Sequence, residues 1–294
     1  MGAAVIAILL GLVAAICYGT ADFLGARSSR QIGPITAAFC VHIIGAFLIC
    51  VWYFAFVHRV PRVTVEGFGS ILVGALTVGI GAVLLYKAFE VGPVGLTSVL
   101  GAAYPLVTAV IGLMLFGARF TAGQIVGVVL LVVGIMVASG LVRLGPSERK
   151  FTKGPILALL TSLLWGIGYS FLDHAVELVG WQTVIFLQVL LMLPIIGGIW
   201  LFNAKKEAVT PAVLLRTFKD PFVIGAGVTQ IIADFVLNIG FVFDPAAGTV
   251  VVATSACYPV ITVLLALRHF KEKIKMVPLL GAGATLTGVV FLLI

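Results

Sequence analysis

The stretch ICYGTADFLGARSSRQIGPIT at residues 16–36 is matched 147 positions later by LLWGIGYSFLDHAVELVGWQT at residues 163–183. The same step takes Tyr18-Gly19 to Trp165-Gly166. Both stretches lie in apolar runs of bilayer length, and each ends in a turn that contains glycine. An internal repeat of this kind determines the architecture of a chain, so it is considered before any single motif.

A second spacing, of 154 residues, relates Tyr104-Pro105 to Tyr258-Pro259 in the later part of each copy. The same spacing relates three further pairs: Phe116 and Phe270, Gly127 and Gly281, and Gly134 and Gly288. A constant spacing within each part indicates two copies of one pattern, with a few residues inserted between the parts. In a membrane protein, paired repeats are typical of a transporter whose site lies between the two halves.

The composition excludes a water-soluble globular protein. Of the 294 residues, 62% are hydrophobic and 10% are charged, whereas soluble domains have roughly 25% charged residues. The four cysteines lie inside apolar runs and are predicted to be core thiols without disulfides. The chain contains no nucleotide-binding loop and no metal-ligand motif, so we expect neither a metal nor another cofactor, and no ATP-driven transport.

Ten segments are long and apolar enough to cross a bilayer, which takes about 20 residues. They are residues 3–26, 34–57, 67–89, 94–116, 121–142, 155–177, 181–203, 221–243, 247–267 and 275–293. The predicted fold is an all-α membrane protein with two five-helix repeats, at 1–142 and 155–294, joined by a cytoplasmic linker at 143–154. Residues 204–220 are predicted to hold a short interfacial helix.

Basic residues predict the orientation. Fifteen of the 18 lysines and arginines fall in loops on one predicted side, and only Arg59, Arg62 and Arg119 fall on the other. Basic loops remain in the cytoplasm, so both termini are predicted to lie outside the cell. Because five is odd, the second repeat begins on the opposite side, and the repeats are inverted. The net charge of +7 is thus a topology signal, and nucleic acid is not a predicted partner.

Four motifs, two of them present in both halves, suggest a family. They are the Tyr/Trp-Gly of each first helix, Tyr86 and Phe89 at the end of the third, the two Tyr-Pro pairs, and Phe270 with Glu272. Their order resembles the ten-helix EamA type of the drug/metabolite transporter superfamily. The resemblance implies a secondary transporter whose central cavity is lined by the first four helices of each repeat. It leaves open amino acids, sugars, nucleotide-linked compounds, amines and drugs as substrates. Ala118 stands where the family often has Glu, which predicts a loop contact for Glu272 and no role for it in transport.

Asp234 is the main candidate for the site because an ionisable group inside a bilayer is costly. Gln230, Asp234 and Asn238 recur at steps of four and form one polar stripe on a helix. A stripe facing lipid would cost roughly 2.5–3.5 kcal/mol for the acid alone, so we expect it to face the cavity or another helix. The alternatives are a substrate or proton site and a structural hydrogen bond between helices.

Three other polar residues, Asp22, Lys87 and His42, also allow both a functional and a structural interpretation. Asp22 lies one turn after Tyr18 and is predicted either to line the cavity or to pair with Arg27 or Lys87. Lys87 is a candidate for the cavity and also for a side chain that extends to the cytoplasmic surface. His42 could titrate near neutral pH, although a lone histidine there also suits a bond between helices.

Aromatic residues accompany these acids at repeat-related positions: Tyr18, Trp165, Tyr169, Tyr104 and Tyr258. Ring faces beside a carboxylate suit an amine or another organic cation, but the same rings could also fill helix junctions. Pro105 and Pro259 remove a helical hydrogen bond and are predicted to kink their helices.

Together these features predict a secondary active or exchange transporter of the plasma membrane that moves a small amine-bearing metabolite by alternating access. Protons are a candidate coupling ion, and either a monomer or a homodimer is compatible with the sequence. The alternatives are a transporter of sugars or other neutral metabolites and a non-transporting scaffold or receptor. An enzyme is not predicted because no convergent acid/base or metal constellation is visible.

Overall fold

A computed structural model describes residues 2–58, 60–115, 121–138, 153–203, 210–243, 251, 254–272 and 276–293. These residues form helices and connecting turns, and none of them is in a strand. The helices are α1 Gly2–Ile32, α2 Pro34–Trp52, α3 Val65–Val91, α4 Val94–Gly101, α5 Tyr104–Leu115, α6 Ala122–Ala138, α7 Lys153–Val179, α8 Trp181–Asn203, α9 Pro211–Phe218, α10 Pro221–Phe243, α11 Tyr258–His269 and α12 Met276–Leu293.

Five spans in the described residues are long and apolar enough to cross a membrane: Ile6–Ile32, Pro34–Val57, Val65–Val91, Lys153–Val179 and Trp181–Asn203. Shorter apolar helices follow the predicted positions of the other five segments. The chain is therefore an all-α membrane protein with two repeats, as the sequence predicted. The predicted interfacial helix is α9, while most of the predicted linker, residues 143–152, lies outside the described part.

The fourth segment differs from its prediction because it is broken and not merely kinked. Helix α4 ends at Gly101 and α5 begins at Tyr104. Pro105 has no N–H to donate to the Gly101 carbonyl, and Ala103 N instead bonds to Leu100 O at 3.3 Å. A similar turn precedes α11, where Cys257 N bonds to Thr254 O at 3.2 Å. Each repeat therefore contains an interrupted helix at its Tyr-Pro pair.

Helix α1 is longer than predicted, since it continues past residue 26 to Ile32. The polar residues that suggested a loop form hydrogen bonds along the helix. Ser28 Oγ donates to Leu24 O at 3.0 Å and Ser29 Oγ to Gly25 O at 2.8 Å. The basic end of α1 is thus a rigid extension beyond the apolar span.

The first helix of each repeat packs against the broken helix of the other repeat. Thr262 Oγ1 of α11 donates to Gly19 O of α1 at 3.2 Å, and Thr108 Oγ1 of α5 donates to Gly166 O of α7 at 3.2 Å. The two glycines and the two threonines are repeat-related pairs. A Cβ at Gly19 would lie 2.6 Å from Tyr258 O, and one at Gly166 would lie 2.8 Å from Tyr104 O. Both positions thus require glycine for close approach.

The last helices of the two repeats, α6 and α12, also pack closely. A Cβ at Gly134 would lie 2.8 Å from Gly281 O, and one at Gly288 would lie 2.7 Å from Gly127 O. Small residues at these four positions let the two helices approach closely. We call these four glycines the glycine seam.

Candidate functional site

The centre of the site is a hydrogen bond between the two repeats. Tyr18 Oη of α1 donates to Asp234 Oδ1 of α10 at 2.7 Å. Gln230, one turn earlier on α10, donates its Nε2 to the same oxygen at 3.5 Å. All three side chains are half-buried. Asp234, in the middle of the predicted polar stripe, therefore faces another helix of the protein and not lipid.

The aromatic residues form two corners around this bond, and the corners are related by the repeat. In the first corner the rings of Tyr18 and Tyr258 lie with centroids 5.8 Å apart. In the second corner the ring of Tyr104 lies 6.1 Å from Trp165 and 4.9 Å from Tyr169. These are distances at which aromatic pairs make favourable contacts.

Asp234 joins the two corners. It bonds to Tyr18 of the first corner and lies close enough to Tyr104 and Tyr169 of the second to interact electrostatically with both. A carboxyl group beside several aromatic rings can receive an organic cation, since the acid and the ring faces both attract positive charge. We call Asp234, Tyr18, Tyr104, Trp165 and Tyr169 the aromatic acid site.

The third membrane-spanning helices of the two repeats, α3 and α10, differ at one position, and this difference explains why the site contains only one acid. Trp165 Nε1 of α7 donates to Val78 O of α3 at 3.2 Å, and its repeat-related residue Tyr18 likewise reaches the third helix of the other repeat. In α3, however, Val83 stands where α10 has Asp234. Trp165 thus bonds to the backbone, whereas Tyr18 bonds to a carboxyl group.

Asp22 lies outside this aromatic group and has other neighbours. Ser98 Oγ of α4 donates to Asp22 Oδ2 at 2.5 Å. The side chains of Tyr86 and Tyr258 are close enough to Asp22 for electrostatic interaction. Neither of the predicted pairings, with Arg27 or with Lys87, is present. Arg27 instead lies over the ring of Phe222, 3.8 Å from its centroid.

Ser98 was not among the residues singled out from the sequence. Its repeat-related position at the 154-residue step is Val252. Comparison of the two repeats therefore identifies Ser98 as a polar residue present in one repeat only. That signal was available in the sequence.

Three predicted site residues are not placed in contact with this group. The Asn238 side chain lies outside the described side chains. His42 Nδ1 is 2.7 Å from Ala38 O, one turn back on its own helix, which favours a structural role. Lys87 is half-buried and makes no hydrogen bond or ion pair with the described residues.

Glu272 makes a loop contact, as predicted from Ala118 in the first repeat. Its carboxyl group accepts bonds from Val94 N at 2.8 Å and Gly95 N at 3.3 Å, at the start of α4. Arg30 Nη2, at the end of α1, lies 3.3 Å from the same group and also donates to Gly92 O at 2.9 Å. Glu272 therefore ties the loop after α11 to the beginning of α4.

The described residues contain no group of three or more His, Cys, Asp or Glu side chains that could hold a metal ion. The chemistry available at the site is therefore that of one carboxyl group, an amide, hydroxyls and aromatic rings. These groups suit reversible binding of a small molecule.

Comparison with known proteins agrees with the two-repeat fold. The model of the EamA-like transporter family matches residues 5–140 and again 152–294. An uncharacterised protein of Methanocaldococcus jannaschii is 26% identical over 133 residues, which are 45% of this chain and 96% of that protein. A crystal structure titled only as that of a protein aligns with a TM-score of 0.63 and 18% identity, over 97% of this chain and 95% of that one. The structural likeness concerns the fold alone.

Proposed function

Since the chain belongs to the EamA-like transporter family, we propose that it is a secondary transporter of a small amine-bearing metabolite, either an amino acid or an organic cation. The aromatic acid site binds the ammonium group. The observation that carries this proposal is the hydrogen bond from Tyr18 to Asp234, a carboxyl group that lies within electrostatic range of Tyr104 and Tyr169.

The chemistry of the site favours a cation over a neutral solute. A desolvated cation over an aromatic face gains about 2 kcal/mol or more, and an exposed one about 0.5–1 kcal/mol. The carboxyl group of Asp234 adds a charge-assisted bond, which is stronger than a bond between neutral groups. Sugar sites need many hydrogen-bond donors and acceptors, whereas the described site offers one acid, one amide and three tyrosine hydroxyls.

Alternating access is the mechanism that we propose for this fold. Inverted repeats with interrupted helices allow one half to rock against the other around a fixed central site. Here each repeat contributes one interrupted helix, and Tyr104 and Tyr258 stand at the two breaks. Rocking of the repeats would therefore move the rings of the aromatic corners relative to Asp234.

We place the protein in the plasma membrane with both termini outside the cell. The argument is the excess of lysine and arginine in the loops of one side, because such loops remain cytoplasmic. In this orientation the basic end of α1, with Arg27 and Arg30, faces the cytoplasm.

The test of the proposed function is ligand binding followed by transport. Purified protein in detergent is screened by thermal shift against choline, lysine and other amino acids, and glucose. We expect amines to stabilise the protein. Asp234→Asn should weaken amine binding about 10- to 100-fold, because a bond to a charged group contributes about 1.5–3 kcal/mol. The matched control is Asp173→Asn, an exposed acid on α7, which should bind amines like the wild type.

Other outcomes point to the alternatives. A glucose shift that survives in Asp234→Asn would favour a transporter of neutral metabolites and contradict the amine assignment. Absence of any ligand shift, with no uptake of choline or lysine into proteoliposomes, would favour a scaffold or receptor.

A further inference from the structure

The two carboxyl groups near the centre of the protein have different surroundings. Asp234 is bonded to the hydroxyl of Tyr18, with Tyr104 and Tyr169 within range of electrostatic interaction. Asp22 is bonded to the hydroxyl of Ser98, with Tyr86 and Tyr258 within that range. The residues around Asp22 are nearly closed to solvent: Ser98 is 1% exposed, Tyr86 8% and Tyr258 9%. The partner of Asp22 is thus a buried serine hydroxyl outside the aromatic acid site, and such a group can bond to a carboxyl group with or without its proton.

No basic side chain in the described part of the protein forms an ion pair with Asp22. Arg27 lies over Phe222, and Arg30 is bonded to Glu272. The neighbouring helices carry three hydroxyl groups that face Asp22: Tyr86 of α3, Ser98 of α4 and Tyr258 of α11. The other acid, Asp234 of α10, is connected to α1 through Tyr18. Lys87 of α3 and His42 of α2, which bonds to its own helix, make no contact with Asp22.

We propose that Asp22 binds the proton that is coupled to transport, at a site separate from the substrate site at Asp234. The proposal rests on the transport function proposed above. A proton passes from a hydronium ion to Asp22 Oδ1, which forms an O–H bond and leaves a water molecule. Oδ1 is the free oxygen, because the only hydrogen bond to Asp22 in the described residues is that from Ser98 to Oδ2.

Both protonation states can be accommodated at this position. An ionised carboxyl group in a membrane span costs roughly 2.5–3.5 kcal/mol on insertion scales, and a bound proton removes that charge. The hydroxyl of Ser98 is both donor and acceptor, so its bond to Asp22 persists in either state. The contact between Ser98 and Oδ2 can therefore remain while Oδ1 gains or loses a proton.

Ser98 connects the proton site to the moving part of the fold. It lies in α4, whose first N–H groups bond to Glu272 of the second repeat. Three residues after Ser98 the helix breaks, and α5 begins at Tyr104 of the aromatic acid site. Protonation of Asp22 would remove the charge from its bond with Ser98 and weaken that bond, and it would therefore bias the position of a short helix that leads directly to a substrate-binding ring. A proton and a substrate that favour different positions of one element are coupled by necessity.

Only one repeat carries this arrangement. At the repeat-related positions, Tyr169 stands for Asp22 and Val252 for Ser98. The first corner, with the rings of Tyr18 and Tyr258, thus lies next to a carboxyl–hydroxyl pair, while the second corner has rings alone. Because only the first corner lies next to a carboxyl group bonded to a serine hydroxyl, we assign proton binding to the first corner.

Transport of radiolabelled choline in proteoliposomes tests the separation of the two sites. Choline carries a permanent charge, so it does not distribute across the bilayer in response to pH by itself. Counterflow against internal choline at equal pH reports the substrate site, and accumulation under an imposed pH gradient reports the proton site. A gradient of about one pH unit supports up to about tenfold accumulation for each coupled proton.

We expect Asp22→Asn to abolish gradient-driven accumulation, so that the ratio of accumulation to counterflow falls by up to about tenfold. Asp234→Asn should lose both activities, and Asp173→Asn should keep both. Gradient-driven accumulation in Asp22→Asn would overturn the proposal, as would equal loss of counterflow and accumulation in that variant.

An infrared measurement tests proton binding at Asp22 without any substrate. Difference spectra of the full-length protein between low and high pH should contain a carboxyl C=O band that disappears in Asp22→Asn and remains in Asp234→Asn. If wild-type protein moves no choline, the proposed function fails for that substrate, but the infrared result still decides the proton site. A spectrum unchanged by Asp22→Asn would overturn the assignment.

Discussion

At the residue scale, repeat-related positions with different side chains distinguish the two corners of the site. Tyr169 occupies the position of Asp22 and places its ring 4.9 Å from that of Tyr104. Tyr169 also lies within electrostatic range of Asp234. In the function that we propose, the presence of a ring in one repeat and an acid in the other is what distinguishes the cation site from the proton site.

Tyr169→Leu should weaken binding of choline because it removes a ring face and keeps an apolar side chain. The expected increase in Kd is about 2- to 30-fold, which corresponds to the 0.5–2 kcal/mol of a cation–ring contact. Tyr169→Phe keeps the ring and serves as the matched control, with a Kd close to that of the wild type. Isothermal titration in detergent provides the measurement. Equal weakening by both variants would show that the hydroxyl, and not the ring, contacts the ligand.

Sequence reasoning located Asp234, Tyr18 and the aromatic residues because their types are costly or unusual in a membrane span. It could not show that Tyr18 bonds to Asp234, since this contact joins residues 216 positions apart. Ser98 was missed because serine is common in membrane helices and carries no charge. His42 was included on its type alone, and its bond to Ala38 satisfies it within its own helix.

At the scale of elements, α4 is a short helix that is held near both ends. Glu272 accepts bonds from its first N–H groups, and Asp22 accepts a bond from Ser98 in its second half. The positive end of the helix dipole adds to the first of these contacts. A helix of eight residues would be only marginally stable by itself, so these contacts determine its position.

Glu272→Gln should destabilise the protein by about 1–3 kcal/mol, because it weakens three bonds to a carboxyl group that is 10% exposed. The matched control is Glu66→Gln. Glu66 lies 3.1 Å from His174 but is 70% exposed, and exposed pairs contribute at most about 1 kcal/mol. Thermal unfolding in detergent compares the two variants. Equal shifts would contradict the proposed role of the α4 contact.

The prediction of elements failed where local backbone chemistry competes with hydropathy. Hydropathy favours one span over residues 94–116, but Pro105 withdraws a donor and the helix breaks between Gly101 and Tyr104. Hydropathy also places the end of α1 before Arg27, whereas Ser28 and Ser29 bond back to the preceding turn and the helix continues. Both differences lie at positions that matter for the site.

At the scale of the whole molecule, the glycine seam joins the last helices of the two repeats. Gly134 and Gly288 each lie against the backbone of the facing helix, so that α6 and α12 approach closely. Van der Waals contact between backbones is a main source of helix association in membranes. The seam therefore holds the two repeats together.

Gly288→Ala should destabilise the protein by about 1–3 kcal/mol, since overpacking a close contact forces the backbone to shift. The new Cβ would lie 2.8 Å from the Cα of Leu131 and 2.7 Å from the carbonyl oxygen of Gly127. Gly283→Ala, on the same helix, is the matched control because nothing lies within 4 Å of its Cβ position. It should change stability by less than about 0.5 kcal/mol. Thermal unfolding in detergent measures the stability of both variants. A similar loss of stability in Gly288→Ala and Gly283→Ala would show that close packing at the glycine seam does not stabilise the protein.

The architecture of the molecule was the most predictable level, because repeat spacing and hydropathy are properties of long segments. Two spacings were enough to identify the halves, and both matches of the family model follow them. The particular contacts between the two halves could not be predicted from the sequence. Nothing in the spacing indicates that Gly19 faces Tyr258 or that Gly166 faces Tyr104.

The mirrored bonds of Thr262 to Gly19 and Thr108 to Gly166, both 3.2 Å long, have a consequence for energetics. When two inverted repeats exchange their conformations, a contact present in both halves is made equally before and after the exchange. Under the alternating-access mechanism that we propose, such a pair would act as a pivot and contribute nothing to the free-energy difference between the two end states. Only unmatched contacts, such as Ser98 to Asp22 and Glu272 to α4, would then distinguish a state open to one side from a state open to the other. The resting orientation of the transporter would therefore depend on the few residues in which the two copies differ.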